Sequence, residues 1–413
     1  MRYADIAQAS ETCARRTAIV LGISIPVSTF VDNVFLLLIL VLWLVTLPLN
    51  LKDLALSTRH SSVAMSALGL FLLIAAGTLY GPSPRAEALS VLGKYADLFF
   101  IPILATFFTT RHSRDRALLC LAIAIVLSLI VSHAARAGLL VGNPVLPRYP
   151  EYPGGFKFSV THSIVMSLGA FLFSLLARDT VKLAKRVAFG VLALLCVHNV
   201  LFVVIGRTGY VVLATLVVYL VATNTRGRKG LLHAALAGVL VLSTAYFLSS
   251  NFRDRVLTAA VEFTDWRAGH DIADSSVGLR IEWYRTSFEL IKENPLTGVG
   301  TGGFKQAYAE TVAGTGAIVP SNPHNDYLLL TAQVGVLGLL LLIITYTALW
   351  RVSRELPTRL ERDLARGLVL TMAIGGMFNS LLLDHTEGLL FAWLAALLLG
   401  GLGTNKASTE PVT

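Results

Sequence analysis

Long apolar runs almost free of charge constrain this chain more than any other feature. Residues 33–50, 117–138, 187–205 and 326–350 carry at most one charged side chain each. About 20 such residues cross a hydrocarbon core as a helix. Inside lipid every backbone polar group must be satisfied within the spanning structure, which leaves helices or a closed barrel. The runs are too long and too uniformly apolar for barrel strands, which alternate in character. Only 14% of the residues are charged, against about 25% in soluble domains. The fold class predicted is therefore all-α, a polytopic integral membrane protein.

Twelve candidate spans follow, near 14–30, 33–50, 62–80, 93–110, 117–138, 160–177, 187–205, 209–224, 230–249, 326–350, 366–384 and 387–403. The first contains Pro26 and follows Arg15-Arg16. Without an A-x-A-like site after it, it reads as a retained span rather than a signal peptide. If the spans alternate from a cytoplasmic N-terminus, 21 of the 34 Lys and Arg fall on the inner side and six in the short outer loops. That asymmetry places both termini in the cytoplasm. The net charge of +9 is then a topology signal and not a nucleic-acid footprint. Cys13, Cys120 and Cys196 lie in or beside spans, and no Cys/His spacing suggests zinc.

The chain reads as one membrane domain over 1–413, with a single large outer loop at 250–325 between the ninth and tenth spans. Within it, 253–266 reads as an amphipathic helix, and a second starts near Ser276 and stops before Pro295. Such helices lie on the outer membrane surface or over the mouth of the bundle. Residues 138–157, rich in Pro and Gly, read as irregular, and the C-terminal tail as disordered.

The unusual residues gather around that loop. His324 stands in Ser321-Asn322-Pro323-His324-Asn325-Asp326-Tyr327, at the mouth of an apolar run. With Asn322 as cap and Pro323 at the first helical position, it reads as the second residue of the helix. The positive helix end disfavours an imidazolium, leaving a neutral ring able to accept a proton. A plain polar cap is the alternative. Asp326 would offset this shift or orient the ring.

Arg207 sits between Gly206 and Gly209 in a short turn. It reads either as an interfacial anchor or as a charge held at the bundle for function. Arg280 lies in the first turns of the second loop helix, where an anion is favoured and a guanidinium adds a bidentate phosphate fork; Arg285 lies one turn on. A solvated helix face would account for either. Asp384, His385 and Glu387 form an outer turn whose carboxylates could orient an arginine or hold an acceptor hydroxyl, or be merely solvated. Lys94 and Arg85 are candidates for an anionic lipid head group; His162, His133 and His198 read as ordinary polar residues.

Gly298-Val299-Gly300-Thr301-Gly302-Gly303 matches G-x-G-x-x-G in form only. A dinucleotide site needs a preceding strand and a βαβ unit. A tight turn that positions the next helix, or offers N–H groups to a phosphate, is the better reading. No D-x-D or acidic cluster on the outer side suggests Mg²⁺.

Taken in order, Arg207-Thr208-Gly209-Tyr210, Ser276-Val277-Gly278-Leu279-Arg280 with Trp283, Asn294-Pro295-Leu296-Thr297-Gly298-Val299-Gly300 with Phe304, and Pro323-His324-Asn325-Asp326-Tyr327-Leu328 resemble the O-antigen ligase family. Its fold is shared with O-antigen polymerases and related lipid-linked sugar transferases. The motifs cover about 200–340. The resemblance implies a glycan donor on undecaprenyl diphosphate and an acceptor hydroxyl on lipid A–core oligosaccharide. It implies transfer on the periplasmic face of a bacterial inner membrane with no metal, ATP or other cofactor. It also implies His324 as base and Arg207 and Arg280 as diphosphate binders. No carboxylate is clearly placed as a nucleophile, so single displacement with inversion is expected. An O-antigen polymerase is the nearest alternative. A transporter is a more distant one, because transporters place ionisable groups at mid-membrane.

Overall fold

The computed structural model describes residues 3–59, 61–140, 154–225, 228–269, 273 and 275–402. Among these the secondary structure is wholly helical. Most of the irregular 138–157 segment and nearly all of the C-terminal tail fall outside the described residues.

The first half comprises α1 (Tyr3–Ser24), α2 (Thr29–Arg59), α3 (Ser62–Gly77), α4 (Arg85–Lys94), α5 (Ala96–Ala105), α6 (Arg111–Arg136), α7 (Ser159–Asp179) and α8 (Leu183–His198). A π-helical turn, Asn199–Val203, links α8 to α9 (Arg207–Asn224), followed by α10 (Arg228–Leu248). The loop region folds as α11 (Ser250–Ala268), α12 (Ser276–Glu293) and α13 (Phe304–Thr311). The chain then runs through α14 (Asp326–Val352), α15 (Arg359–Gly375) and α16 (His385–Gly400).

Every apolar run overlaps a helix, although the run at 366–384 leaves α15 at Gly375, and twelve spans is not the number that helix length and composition return. Seven helical stretches are long and apolar enough to cross a membrane: Thr29–Leu47, Arg85–Ala105, Arg111–Arg136, Ser159–Asp179, Leu183–Val203, Arg207–Asn224 and Asp326–Glu355. An eighth would be α10 with α11, two segments bent by 94°. Part of the difference is helix length. Helices α3 and α16 have 16 residues each, about 24 Å against a core of ~30 Å.

Packing follows composition. Helix α16 is apolar on every face and buried from Thr386 to Gly400, as expected of a helix surrounded by others. Its Trp393 fills the space against α1, donating Nε1 to Ala18 O at 2.8 Å. Helices α2, α8 and α10 instead expose apolar side chains such as Leu37, Leu44, Leu194, Val239 and Leu240. In water such a surface would be costly; in lipid it is not.

The glycine-rich turn is a structural joint. Helix α14 breaks at Val334–Gly335, where Gly335 has φ 73°, and a Cβ there would sit 2.0 Å from Leu296 O. The 295–302 turn plugs into the break: Val336 N donates to Pro295 O, Val299 N to Ala332 O and Gly300 N to Gln333 O. Thr301 N donates to Gly77 O, and Gly302 N to Gln333 Oε1 at 2.8 Å. These N–H groups are spent on protein carbonyls, which corrects the phosphate-cradle alternative; the turn positions α13 and fastens the α11–α13 region to α3 and α14.

Candidate functional site

Arg207 is the first residue of α9. Its flanking glycines are explained by close approach: a Cβ on Gly206 or Gly209 would lie 2.6 or 2.4 Å from Ser163 Oγ of α7. The head of α9 is therefore pressed on α7. Arg207 Nη1 donates to Ser276 Oγ at 2.9 Å and lies 3.6 Å from Glu262 Oε2. Glu262 also accepts from Val277 N at 3.0 Å, tying α11, α12 and α9 together. Arg207 Nη2 is buried with no hydrogen-bond partner among the described residues.

Helix α12 starts where its cap dictates: Ser275 is the N-cap, and its side chain accepts from Gly278 N at 2.9 Å. Ser276, Arg280 and Tyr284 recur every four residues and share one face. Burial lowers the Arg280 pKa; Tyr284 partly offsets this, the nearby Arg207 charge lowers it further, and Glu262 opposes. Two guanidinium groups that disfavour each other in this way would gain from a polyanion between them.

His324 differs from the expectation in its backbone. It precedes α14, and its φ of 53° is the one left-handed value among the described non-glycine residues. Asn325, not Asn322, is the N-cap, accepting from Leu328 N at 3.0 Å. Asn322 Oδ1 instead accepts from His324 N at 2.9 Å and from Ser380 Oγ at 2.9 Å, so Pro323 is not a helical residue. Such a conformation costs about 1–3 kcal/mol and concentrates at functional sites. It turns the imidazole onto Trp283, with ring centroids 5.4 Å apart. Tyr284 Oη donates to His324 O at 3.3 Å and Met377 O at 3.0 Å, so α12 lies across the mouth of α14. The pKa of His324 is lowered, first by burial and then by the Arg280 charge, against a hydrogen bond that the ring donates to Asn379 and that raises it. The neutral ring is favoured, with burial and the Arg280 charge as its causes.

Asn379 is the residue that sequence reasoning missed. It is buried, and its Nδ2 donates to Thr208 Oγ1 at 2.6 Å. Its oxygen therefore remains for the imidazole N–H, which leaves the other ring nitrogen as acceptor. One amide thus couples the neighbour of Arg207 to His324. No local pattern marks it; only the return of the 376–384 turn to the head of α14 brings it there.

Asp326 does not act on the imidazole directly. It is fully buried, and its carboxylate accepts from Leu381 N and Leu382 N at 3.1 Å each. It braces the turn that carries Asn379. Asp384 and Glu387 form a separate group around the start of α16: Asp384 faces Lys94, and Glu387 faces Asp384, Thr161 and Lys157. Arg285 points away from the arginine pair, 3.8 Å from Glu289 on the exposed side of α12, and Arg85 is exposed at the start of α4. Of the candidates, His324, Arg280 and Arg207 come together. Lys94, Asp384 and Glu387 gather elsewhere, and Arg285 and Arg85 stand apart. His162 is a satisfied core histidine, 3.0 Å from Asn199 Oδ1.

A search of curated proteins finds no match to the chain. A family model does match: residues 190–343 fit the one described as O-Antigen ligase. The matched residues include Arg207, all of α12, the glycine-rich turn and His324, while Asn379 lies outside them, so this part of the chain is similar to the O-antigen ligase family.

Proposed function

We propose that the protein is an O-antigen ligase of the bacterial inner membrane. It moves a glycan from undecaprenyl diphosphate to a sugar hydroxyl of lipid A–core oligosaccharide. The chain acts as one membrane unit, with both termini cytoplasmic and residues 250–325 forming the periplasmic loop over the site. The observation that carries this reading is the convergence of one imidazole biased toward its neutral form with two arginines at the same end of the bundle.

Arg207 and Arg280 hold the donor diphosphate. His324 accepts the proton of the acceptor hydroxyl as its oxygen attacks the anomeric carbon. The bond from that carbon to the phosphate oxygen breaks, its electron pair stays with undecaprenyl diphosphate, and the new charge meets the guanidinium groups. General base catalysis contributes typically about 10²–10⁴-fold, and charge-matched donors at the departing group supply much of the remainder. Two substrates anchored in one membrane lower the entropic cost of encounter. The anomeric centre inverts in this single displacement. Because arginines balance the diphosphate, transfer continues in EDTA.

Deleting the gene tests the reaction. Loss of a ligase leaves long glycan chains on the carrier lipid and none on lipid A–core. Loss of a polymerase would leave single repeats attached to lipid A–core, and that phenotype would overturn the assignment.

A further inference from the structure

Helix α12 has two working faces. One bears Ser276, Arg280 and Tyr284 and turns toward Arg207 and His324. The other bears Glu282, Arg285, Thr286 and Glu289, and lines an open cavity of about 410 Å³ closed by α13 and the 312–318 segment. Trp283 belongs to both: its ring packs beside His324 and also lines the cavity. Its Nε1 is pinned to Ile318 O on the far wall at 3.2 Å.

The lining has the chemistry of a sugar site. Trp283 offers an aromatic face for the C–H face of a pyranose ring, and Tyr308 of α13 also lines the cavity. Polar groups rim it: Arg285 and Glu289 pair only loosely, at 3.8 Å, with side chains 70% and 49% exposed, so both remain available to hydroxyl groups. The volume falls within the range of about 300–1,000 Å³ usual for ligand pockets. Its position is equally informative. The cavity lies across α12 from the two arginines and meets the His324 side of the helix through Trp283.

We infer that the cavity between α12, α13 and the 312–318 segment binds the acceptor: sugars of the core oligosaccharide next to the reacting hydroxyl, with Trp283 as the platform that delivers that hydroxyl to His324. The inference rests on the ligase reading and deepens it.

The test uses the full-length protein reconstituted in vesicles, with purified lipid-linked glycan and lipid A–core, and measures the KM of each substrate at saturating levels of the other. Two variants are compared with the wild type: R285A/E289A, which removes exposed rim groups, and Thr311→Trp, which fills the cavity from α13. Both are expected to raise the acceptor KM by about tenfold or more and to leave the donor KM within about twofold. An unchanged acceptor KM in both variants overturns the assignment, as does a rise confined to the donor KM. If the wild-type protein transfers nothing to lipid A–core, the ligase reading itself fails and the inference goes with it. Wild-type transfer combined with unaltered acceptor KM values removes the cavity assignment alone.

Discussion

Arginine is used in opposite ways at the two ends of this bundle. At one end, Arg114 is buried with its Nε 2.7 Å from Glu361 Oε1, and its Nη1 donates to Phe108 O and Thr109 O. Arg178 meets Asp363 at 2.6 Å, and Tyr219 Oη donates to the same carboxylate at 2.9 Å. Both of these arginines are paired with protein carboxylates, and together they tie α6, α7, α9 and α15. At the other end of α7 and α9, Arg207 retains a buried Nη2 without a hydrogen-bond partner among the described residues, and Arg280 sits beside it with its pKa lowered by burial. A charge whose partners are all protein stabilises the fold. In the proposed function, the charge left incompletely paired at the mouth of the bundle, next to a histidine biased toward neutrality, meets the donor diphosphate.

That contrast can be broken by mutation. The largest effect is expected for R207A/R280A, which should lower glycan transfer by at least about 100-fold while leaving the amount and thermal stability of folded protein close to wild type. Transfer in vesicles and a melting curve in detergent measure the two halves. Equal loss of fold and activity would mean that these arginines are structural like their counterparts. Arg114→Ala should do the converse. Removing one partner of a buried pair typically costs about 3–5 kcal/mol, so folded yield should fall sharply, and whatever protein remains folded should transfer at a normal rate per molecule.

Conservative changes sharpen the comparison. Lysine at 207 or 280 keeps the charge and loses the planar fork, so each single variant should show intermediate transfer, reduced about 10-fold. Full activity in both would argue against bidentate diphosphate binding. The smallest effect is in pH. A base works when unprotonated, and the His324 pKa is lowered from the usual 6.5. Transfer should therefore hold level from pH 8 through 6.5 and fall only on further acidification. In N379L the bond that raises this pKa is gone, so the acid limb should move lower still. An acid limb at or above pH 7 in the wild type would contradict the burial argument.

How much of this was legible in the sequence differs by feature. Uncharged runs announce helices without stating how many cross the membrane, because a helix such as α16, buried among others, need not be long. The start of α12 was readable, since Ser275 caps it and Pro295 lies just beyond its end. The order of the Arg207, Arg280 and His324 motifs was readable as a pattern. The backbone of His324 was not: Ser-Asn-Pro-His-Asn offers two asparagines as caps, and the choice of Asn325 depends on Ser380 occupying Asn322. Asn379 was invisible because its role exists only once the 376–384 turn folds back onto α14. The glycine-rich turn was recognisable as a turn, while the helix break that it fills is a property of packing.

The most direct measurement is transfer by the His324→Asn variant in reconstituted vesicles with EDTA present. Asparagine tolerates the left-handed backbone and cannot serve as the base, so a loss of activity could not be assigned to misfolding. The expected result is a folded protein that has lost about 10²–10⁴-fold of wild-type transfer and still binds the lipid-linked donor. Transfer at the wild-type rate by that variant would contradict the role of His324 and, with it, the mechanism.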